Sequence, residues 1–234
     1  MQEAVERYAE RIRAAAVEKK PLRLRGGGSK DFYGEALQGE VLDTRDYAGI
    51  VAYEPTELVI TVRCGTPLVE LESVLRAQGQ YLAFEPPHFG DAATVGGMIA
   101  AGLSGPRRQA AGAVRDFVLG VRILDGRGDD LSFGGQVMKN VAGYDVSRPL
   151  AGSLGTLGLI LEVSLKVPPM PIELGDWTVV RAGGDARMVS YALRAMGMRM
   201  WVSSLWERKS TGWATVFYQM TPDVPMPTLP TAPR

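Results

Sequence analysis

Apolar residues in the first twenty positions recur at the spacing of an amphipathic helix. Val5, Tyr8, Ile12 and Ala16 fall on one face, charged residues fill the other positions, and Pro21 stops the pattern. We therefore predict a surface helix over residues 1–20. Apolar and polar residues then alternate over 21–25, which predicts a short strand that runs directly into a glycine run.

Strand patterns recur further along the chain. The β-rich segments that predict strands are residues 41–44, 50–53 and 58–62. Residues 117–124 and 130–133 flank Asp125-Gly126, which predicts a hairpin around an Asp-Gly turn. An apolar run over 157–167 predicts one more strand, which ends at a pair of prolines.

Two more helices are predicted between these strands. Thr66 as N-cap, with Pro67 at the first helical position, opens a helix that closes near Gly79. Its apolar face consists of Leu68, Leu71 and Leu75. The small residues of 94–102 predict a short helix that another backbone or a ligand can approach closely.

The proline pair Pro168-Pro169 is the clearest boundary in the chain. We expect a main domain over residues 1–170 and a smaller α+β fragment over 171–220. That fragment has strand candidates at 177–180 and 212–218 and a helix candidate at 186–196. Residues 221–234 hold five prolines, which predicts an extended or disordered tail.

Composition narrows the classes of function. The chain has 234 residues, 46% of them apolar, and 26 basic side chains balance 26 acidic ones. Because no net positive field would attract a polyanion, nucleic acid is not an expected partner. No apolar stretch reaches the length of a membrane span, and the charged amino terminus is unlike a signal peptide.

Cysteine and histidine each occur once. Cys64 alone excludes an internal disulfide or a cysteine-ligated iron-sulfur cluster within this chain, favours a cytoplasmic setting, and is interpreted as a small buried hydrophobe. His88 alone makes a zinc site or a paired-histidine catalytic centre hard to assemble, so no metal is expected. The sequence assigns no catalytic residue.

Two glycine clusters predict an anion site. Gly26-Gly27-Gly28 follows a strand, so its backbone N–H groups can turn toward one phosphate, with charges from Arg25 and Lys30 and a hydroxyl from Ser29. The alternative is a merely flexible turn. The Thr94–Gly97 segment offers backbone amides at the start of a helix, which also suits a phosphate. The alternative explanation for its glycines is tight helix packing.

Two clusters in one neutral chain suit a diphosphate that is held from two sides. A Walker pattern of Gly, four residues and Gly-Lys-Ser/Thr is missing, which disfavours a mononucleotide site. No Gly-x-Gly-x-x-Gly opens a βαβ unit, which disfavours an ordinary Rossmann NAD site.

Four blocks, in order, resemble the FAD-binding domain of the vanillyl-alcohol oxidase and p-cresol methylhydroxylase (VAO/PCMH) superfamily. The resemblance covers roughly residues 1–170 and looks most like the FAD-binding subunits of bacterial glycolate oxidases. The blocks are Arg25-Gly-Gly-Gly-Ser-Lys30, Glu85-Pro-Pro-His-Phe-Gly90, residues 94–108, and Lys139-Asn-Val-Ala-Gly-Tyr-Asp145 leading into 152–158. The implied fold is an α+β, two-lobed FAD-binding domain of the PCMH/VAO type with a short, incomplete C-terminal cap fragment.

The resemblance also implies where the cofactor lies. The first block and Thr94–Gly97 would grip the pyrophosphate, Gly112 to Val114 and Ile160 would flank the adenosine half, and the Pro86–Gly90 turn would run beside the cofactor. Lys139, Asn140 and Tyr144 would lie toward the flavin ring. The full set of implied cofactor-binding residues is Arg25, Gly26, Gly27, Gly28, Ser29, Lys30, Pro86, Gly90, Thr94, Val95, Gly96, Gly97, Ala100, Gly105, Gly112, Val114, Lys139, Asn140, Tyr144 and Ile160.

The resemblance implies non-covalent FAD. Family members with a covalent flavin commonly carry a histidine just after the first glycine pair, where this chain has Gly28 and Ser29. We assign His88 a turn-stabilising role instead of a linkage. Relatives that oxidise 2-hydroxy acids use histidines and acidic residues, partly from a cap, whereas this chain offers one histidine and a region after residue 171 that is shorter than the family's cap.

The function implied is that of a FAD-binding subunit of a 2-hydroxy-acid (glycolate-type) oxidoreductase complex. Its partners would be a second flavin subunit and an iron-sulfur subunit, with peripheral attachment to the inner membrane through them. The alternatives are a non-catalytic flavin-binding or structural subunit whose partner oxidises the substrate, and the FAD subunit of a molybdenum hydroxylase.

Overall fold

The computed structural model describes residues 2–135 and 144–170, together with the backbone of five short strands between residues 177 and 214. Contacts divide the chain into two compact units, Met1–Met170 and Pro171–Arg234. The first unit carries the glycine clusters.

A five-stranded antiparallel sheet forms the centre of the first unit. Its strand order is β3-β4-β7-β5-β6. The strands are β3 Ile50–Glu54, β4 Val59–Arg63, β5 Val118–Leu124, β6 Asp130–Gly134 and β7 Leu159–Lys166. All five predicted strand segments of this sheet are confirmed, and β7 lies in its middle because its apolar run can be buried on both faces.

A smaller parallel pair carries the first glycine cluster. Strands β1 (Leu22–Arg25) and β2 (Glu40–Asp43) pair with each other, and helix α1 (Gln2–Glu18) precedes them. The predicted first helix, the strand after it and the strand at 41–44 are thus confirmed. Because β1 ends at Arg25, the chain leaves the sheet at the start of the glycine run.

Two helices cover one face of the large sheet. They are α2 (Leu68–Ala77) and α3 (Val95–Ala101), and a single short turn of helix, α4 (Arg108–Ala111), follows. Leu68, Leu71 and Leu75 are fully buried between α2 and the sheet, as the periodicity predicts. Each such side chain contributes about 1.5–3 kcal/mol of hydrophobic stabilisation.

The opposite face packs against α1. Val5, Tyr8 and Ile12 of α1 form a second apolar cluster with Leu159 and Leu161 of β7. The register between β5 and β7 shifts between Arg122 and Ile123, which leaves Leu161 as an extra residue in β7. A bulge of this kind shifts the alternation of faces, so Leu161 lies in the α1 cluster whereas Val163 and Leu165 lie in the cluster on the other face.

Two local predictions need correction. Thr66 does not cap α2: Pro67 occupies the cap position, and the Thr66 hydroxyl instead bonds the backbone of Gly49, accepting from its N–H at 2.8 Å and donating to its carbonyl at 3.2 Å. The hairpin between β5 and β6 is confirmed, but its loop spans 125–129 and the left-handed glycine is Gly128. Asp125 accepts bonds from two backbone amides of that loop, which fixes the longer turn.

The second unit contains only strands in the part that the structure describes. They are β8 Trp177–Arg181, β9 Val189–Leu193, β10 Arg199–Ser203, β11 Trp206–Lys209 and β12 Gly212–Ala214. The helix predicted for 186–196 is wrong over 189–193, because these residues form β9, which pairs on both sides, with β8 and with β10; residues 186–188 and 194–196 lie outside the described residues. Cross-strand pairing overrides a weak helical periodicity here.

Parts of the C-terminal predictions lie outside the described residues, namely 215–218 of the last strand candidate and the whole tail 221–234. Among the helices that the structure describes, none combines the length and the apolar character that a membrane crossing requires.

Candidate functional site

A cleft lies where the glycine loop, α3 and the start of β7 meet. It encloses about 70 Å³. Its lining residues come from five separate parts of the chain and are Leu24, Arg25, Gly26, Thr44, Cys64, Gly96, Gly97, Ala100, Leu154, Gly155, Gly158, Leu159 and Ile160. The two predicted glycine clusters therefore share one cavity.

The glycine loop packs directly on the segment that leads into α3. A Cβ on Gly26 would overlap the hydroxyl of Thr94, and a Cβ on Gly27 would overlap the carbonyl oxygen of Ala92. Gly28 adopts a left-handed φ of 72°, with the Arg25 guanidinium folded back over it. These glycines are required by contacts inside the protein, whether or not a ligand also needs them.

The backbone amides of the two glycine clusters differ in whether they have hydrogen-bond acceptors within the protein. In the part of the chain that the structure describes, no protein acceptor takes a hydrogen bond from the amides of residues 26–30. By contrast, the Gly96 amide donates to the Cys64 carbonyl at 2.8 Å and the Gly97 amide to the Thr94 hydroxyl at 3.3 Å. Free amides for an anion thus come from the glycine loop, whereas α3 contributes close approach through its missing side chains.

Positive charge at the loop is shared with one carboxylate. Asp31 accepts from Arg25 Nε at 3.0 Å and lies 2.7 Å from Arg23 Nη2. The hydrogen bond from Arg25, together with that from Arg23, lowers the pKa of Asp31. Arg23 and Arg25 therefore share Asp31, and Lys30 adds a further positive charge at the end of the loop.

Lys30 is partly withdrawn from water. Burial lowers the pKa of its ammonium, and the Nζ atom lies 5.8 Å from the centre of the Phe89 ring. A cation held against an aromatic face is attracted by the ring quadrupole. Lys30 thus links the loop to the turn that precedes α3.

Cys64 forms part of the cleft wall. Its side chain is almost fully buried and burial raises the pKa of the thiol to about 12. A Cβ on Gly96 would lie 2.7 Å from Cys64 Cβ, so α3 sits directly on this residue. The interpretation of Cys64 as a buried hydrophobe agrees with this position.

Six of the predicted cofactor-binding residues line the cleft, and several others border it. The lining six are Arg25, Gly26, Gly96, Gly97, Ala100 and Ile160. Gly27, Gly28, Ser29 and Lys30 continue the loop, and Thr94 closes it from the α3 side. Their assignment as cofactor ligands stays a prediction.

The remaining predicted residues do not line the cleft. Val95 and Val114 are core residues, and the amide of Val114 donates to Ser104. Gly105 packs against Glu85, and Gly112 has a φ of 107° beside Asp116.

The Pro86–Gly90 turn is held to α2. His88 Nε2 lies 3.0 Å from Glu72 Oε1, which agrees with the turn-stabilising role assigned to this histidine. Pro86 is buried there, whereas Gly90 is exposed with a φ of 111°.

Only one of the three residues predicted to lie toward the flavin ring, Tyr144, is among the described residues. Lys139 and Asn140 lie outside the described residues. Tyr144 is described and is 98% exposed, and neighbouring Asp145 pairs with Arg148. Its placement toward a flavin ring stays a prediction.

Sequence reasoning missed seven lining residues. Leu154, Gly155 and Gly158 belong to a glycine-rich block that was recognised as part of the resemblance, so a signal for them existed. Leu24, Thr44, Cys64 and Leu159 carried no such signal. Only the packing of β1, β2, β4 and β7 brings them to the cavity.

The cleft fits a phosphate-sized group. Its volume of about 70 Å³ is well below the roughly 300–1,000 Å³ of a pocket that encloses a whole ligand. A dinucleotide could place its diphosphate against the glycine loop, and its two ring systems would extend beyond the cleft. Free amides, close backbone approach and local positive charge are the features that a diphosphate requires.

Comparison with known proteins identifies the family. A family model described as a FAD binding domain matches residues 3–148. Glycolate oxidase subunit GlcE of Escherichia coli is 56% identical over 162 residues, which make up 69% of this chain and 46% of that protein. Glycolate oxidase subunit GlcD of Bacillus subtilis is 32% identical, over 57% of this chain and 28% of that protein.

A D-lactate dehydrogenase of Archaeoglobus fulgidus is 32% identical over 68% of this chain and 35% of that protein. The chain thus spans less than half the length of each of these three relatives. A solved structure of alkyldihydroxyacetonephosphate synthase shares the fold, with a TM-score of 0.55 and 24% identity over 70% of this chain and 30% of that one. The chain belongs to the family of FAD-binding domains, and FAD is its cofactor.

Proposed function

We propose that this chain is the FAD-binding subunit of a 2-hydroxy-acid oxidoreductase complex of the glycolate type. The observation that carries the proposal is the shared cavity of the two glycine clusters: Arg25 and Gly26 of the loop line it together with Gly96 and Gly97 of α3, and the loop amides have no acceptor within the described protein. The named relatives, two glycolate oxidase subunits and a D-lactate dehydrogenase, support a 2-hydroxy acid as the substrate class.

Residues of the glycine loop and of α3 contribute in different ways to the binding of FAD. The amides of residues 26–30 bind the diphosphate, Arg25 and Lys30 add charge-assisted contacts, and Gly96 and Gly97 let the diphosphate come close to α3. FAD supplies the redox chemistry when bound, accepting electrons that leave toward an acceptor. The protein positions the cofactor and excludes water from its diphosphate.

We propose that the FAD is held non-covalently. Gly28 and Ser29 occupy the positions where family members with covalent flavin carry the linking histidine, and His88 forms a hydrogen bond with Glu72 on α2. The only cysteine is buried, and burial keeps its thiol protonated at neutral pH.

We further propose that the chain is not active alone. Its partners are a second flavin subunit and an iron-sulfur subunit, and it lies in the cytoplasm, attached to the inner membrane only through those partners. The relatives named as subunits of glycolate oxidase support an assembly of several chains.

A second candidate is a non-catalytic subunit that binds flavin while a partner oxidises the substrate. One observation favours it: His88, the single histidine of the sequence, lies 3.0 Å from Glu72 Oε1 and holds a turn to α2, so its role is structural and it is not placed as a base for a hydroxy acid. In this version the chain stabilises and tunes the assembly.

An absorbance spectrum of the purified protein tests both versions. The proposal predicts a yellow protein whose flavin is released into solution by acid, since no covalent bond holds it. Colourless protein that takes up no FAD on reconstitution would contradict the proposal. As a matched control, Gly126→Ala changes a glycine with no neighbour within 4 Å in the β5–β6 loop and leaves the flavin content unchanged.

Anaerobic addition of glycolate then separates the two candidates. Bleaching of the flavin in a co-purified complex, but not in the isolated chain, supports a subunit that relies on partners. Bleaching in the isolated chain would show that it carries its own substrate site. Retention of FAD in a complex that turns over glycolate through a different flavin favours the non-catalytic candidate.

A further inference from the structure

Asp31 joins the end of the glycine loop to strand β1. Its backbone amide donates to the Gly28 carbonyl at 3.1 Å, which closes a turn over residues 28–31. Its Oδ2 atom accepts from Arg25 Nε at 3.0 Å and from Arg25 Nη2 at 2.9 Å, and it lies 2.7 Å from Arg23 Nη2. One aspartate thus fixes both the backbone of the loop and two arginines of β1.

The two arginines lie on the same side of β1, because side chains alternate along a strand. Leu22 and Leu24 pack toward the α1 cluster, so the arginine side chains point the other way. Arg25 also lines the cleft, and its guanidinium lies over Gly28, where an added Cβ would be 2.1 Å from Nη2. The carboxylate therefore holds an arginine beside the cleft.

Arg25 keeps hydrogen-bond donors for a ligand. A guanidinium has five N–H groups, and Asp31 takes those of Nε and one of Nη2 through a single oxygen atom. Within the described residues, Arg25 donates to no other acceptor. The N–H groups of Nη1 are thus left for a phosphate oxygen. Because two arginines share one aspartate, the three side chains together keep a net positive charge.

We propose that Asp31 is a positioning residue for the diphosphate of FAD, and that it acts by holding Arg25 beside the cleft before FAD binds. This inference rests on the proposed function, since it assumes that the diphosphate lies against the glycine loop. The Arg25 side chain is 35% exposed, so without a partner it would sample many rotamers that FAD would have to restrict on binding. A hydrogen bond that orders the arginine in advance strengthens the binding of FAD.

The opposite role would be competition, in which the Asp31 carboxylate draws Arg25 away from the diphosphate. Removal of the carboxylate would then free the arginine and tighten the binding of FAD. The geometry favours positioning, because Asp31 bonds one edge of the guanidinium and its amide at the same time shapes the turn that carries the loop. The two roles predict changes of opposite sign.

Two substitutions of Asp31 test the proposal. Asp31→Ala removes the acceptor of both arginines, so FAD should bind about tenfold more weakly. Asp31→Asn keeps an oxygen acceptor of the same size, so FAD affinity should return to within about threefold of the wild type. The Asp31 side chain is 37% exposed, and both variants keep its backbone amide, so the thermal midpoint of the apoprotein should not change. An equal loss of affinity in the two variants would overturn the proposal, because a retained acceptor would then have no effect.

Asp43→Ala is the matched control. Asp43 lies opposite Arg25 in the register of β1 and β2, but its carboxylate bonds Arg45. The substitution therefore removes the same charge near Arg25 without removing a bond to it, and FAD affinity should not fall. A loss as large as that of Asp31→Ala would overturn the proposal, since it would need no bond to Arg25.

Calorimetric titration of ADP beside FAD locates the effect. ADP contains the diphosphate but no flavin, so Asp31→Ala should weaken the binding of both compounds by the same factor. A loss for FAD alone would overturn the proposal, because the effect would then lie at the flavin. Unchanged or tighter binding of FAD in Asp31→Ala would overturn it in favour of competition. Wild-type protein that takes up no FAD would contradict the proposed function itself, before any variant is made.

Discussion

Gly97→Ala is the sharpest probe of the diphosphate site, because it adds one methyl group to the cleft with little disturbance of the fold. Gly97 lies inside α3, where alanine is the better helix former by up to about 1 kcal/mol. The nearest atom to the added Cβ is the Thr94 hydroxyl oxygen at 3.2 Å, which can move by a few tenths of an ångström. Folding stability should therefore stay within about 1 kcal/mol of the wild type.

The expected loss of FAD affinity follows from the size of the cleft. Gly97 lines a cleft of only about 70 Å³, so a methyl group added there narrows the space beside α3 in which the diphosphate would lie. Overpacking of this kind costs about 1–3 kcal/mol, which corresponds to roughly 5- to 150-fold weaker binding.

FAD titration of the apoprotein, followed by flavin fluorescence, measures the loss, and urea denaturation measures stability. Gly126→Ala is the matched control, since nothing lies within 4 Å of its added Cβ and Gly126 does not line the cleft. Gly96→Ala is the contrasting variant: its Cβ would lie 2.7 Å from Cys64 Cβ, so we expect it to lose stability as well as affinity. If Gly97→Ala binds FAD as tightly as the wild type, the diphosphate does not approach α3 and the site is wrongly placed.

Three further predictions test the structure around the site. Cys64 should react slowly with a thiol reagent at pH 8, because burial raises the pKa of its thiol to about 12. Saturating FAD should slow this reaction further, since Cys64 lines the cleft. A reaction rate that FAD leaves unchanged would argue that FAD does not occupy the cleft. Leu71→Ala should lower the free energy of unfolding by about 2–5 kcal/mol in urea, and a loss below about 1 kcal/mol would mean that α2 is not packed as described. Burial and the 2.5 Å hydrogen bond to Glu162 raise the pKa of Tyr47 to about 12, so its contribution to stability is complete below pH 10 and disappears as the pH rises toward 12. The free energy of unfolding should therefore fall less steeply between pH 10 and 12 in Tyr47→Phe than in the wild type. Parallel plots of the free energy of unfolding against pH for the two proteins would refute the assignment.

Local patterns predicted most of the first unit. The periodicity of α1 and α2 and the β-branched or apolar runs of β4 and β7 specify elements whose side chains are buried wherever they pack. The glycine blocks indicated the cofactor, since a ligand bound by main chain leaves a mark in the sequence as missing side chains. That mark is the same for a ligand and for close packing, as the contact of Gly27 with the Ala92 carbonyl illustrates.

Errors arose where a partner strand or loop decided the outcome. Val189–Leu193 forms β9 because a strand pairs with it on each side, and the local residue pattern does not predict that pairing. Thr66 turns its hydroxyl to Gly49 instead of to α2, since the 44–49 loop comes within hydrogen-bonding distance. Both outcomes depend on residues distant in sequence.

Local patterns along the chain were enough to predict the helices and strands of the first unit and the residues suited to a dinucleotide, because side-chain periodicity and glycine spacing act over a few residues. That Thr44, Cys64 and Leu154 line the same cleft as Gly26 follows from the folded arrangement, since β2, β4 and the loop before β7 meet there through pairings across the sheets. The folded arrangement also leaves the loop amides unbonded while those of α3 are satisfied. A hydrogen-bond partner is a property of positions in space, which the order of residues along the chain does not specify.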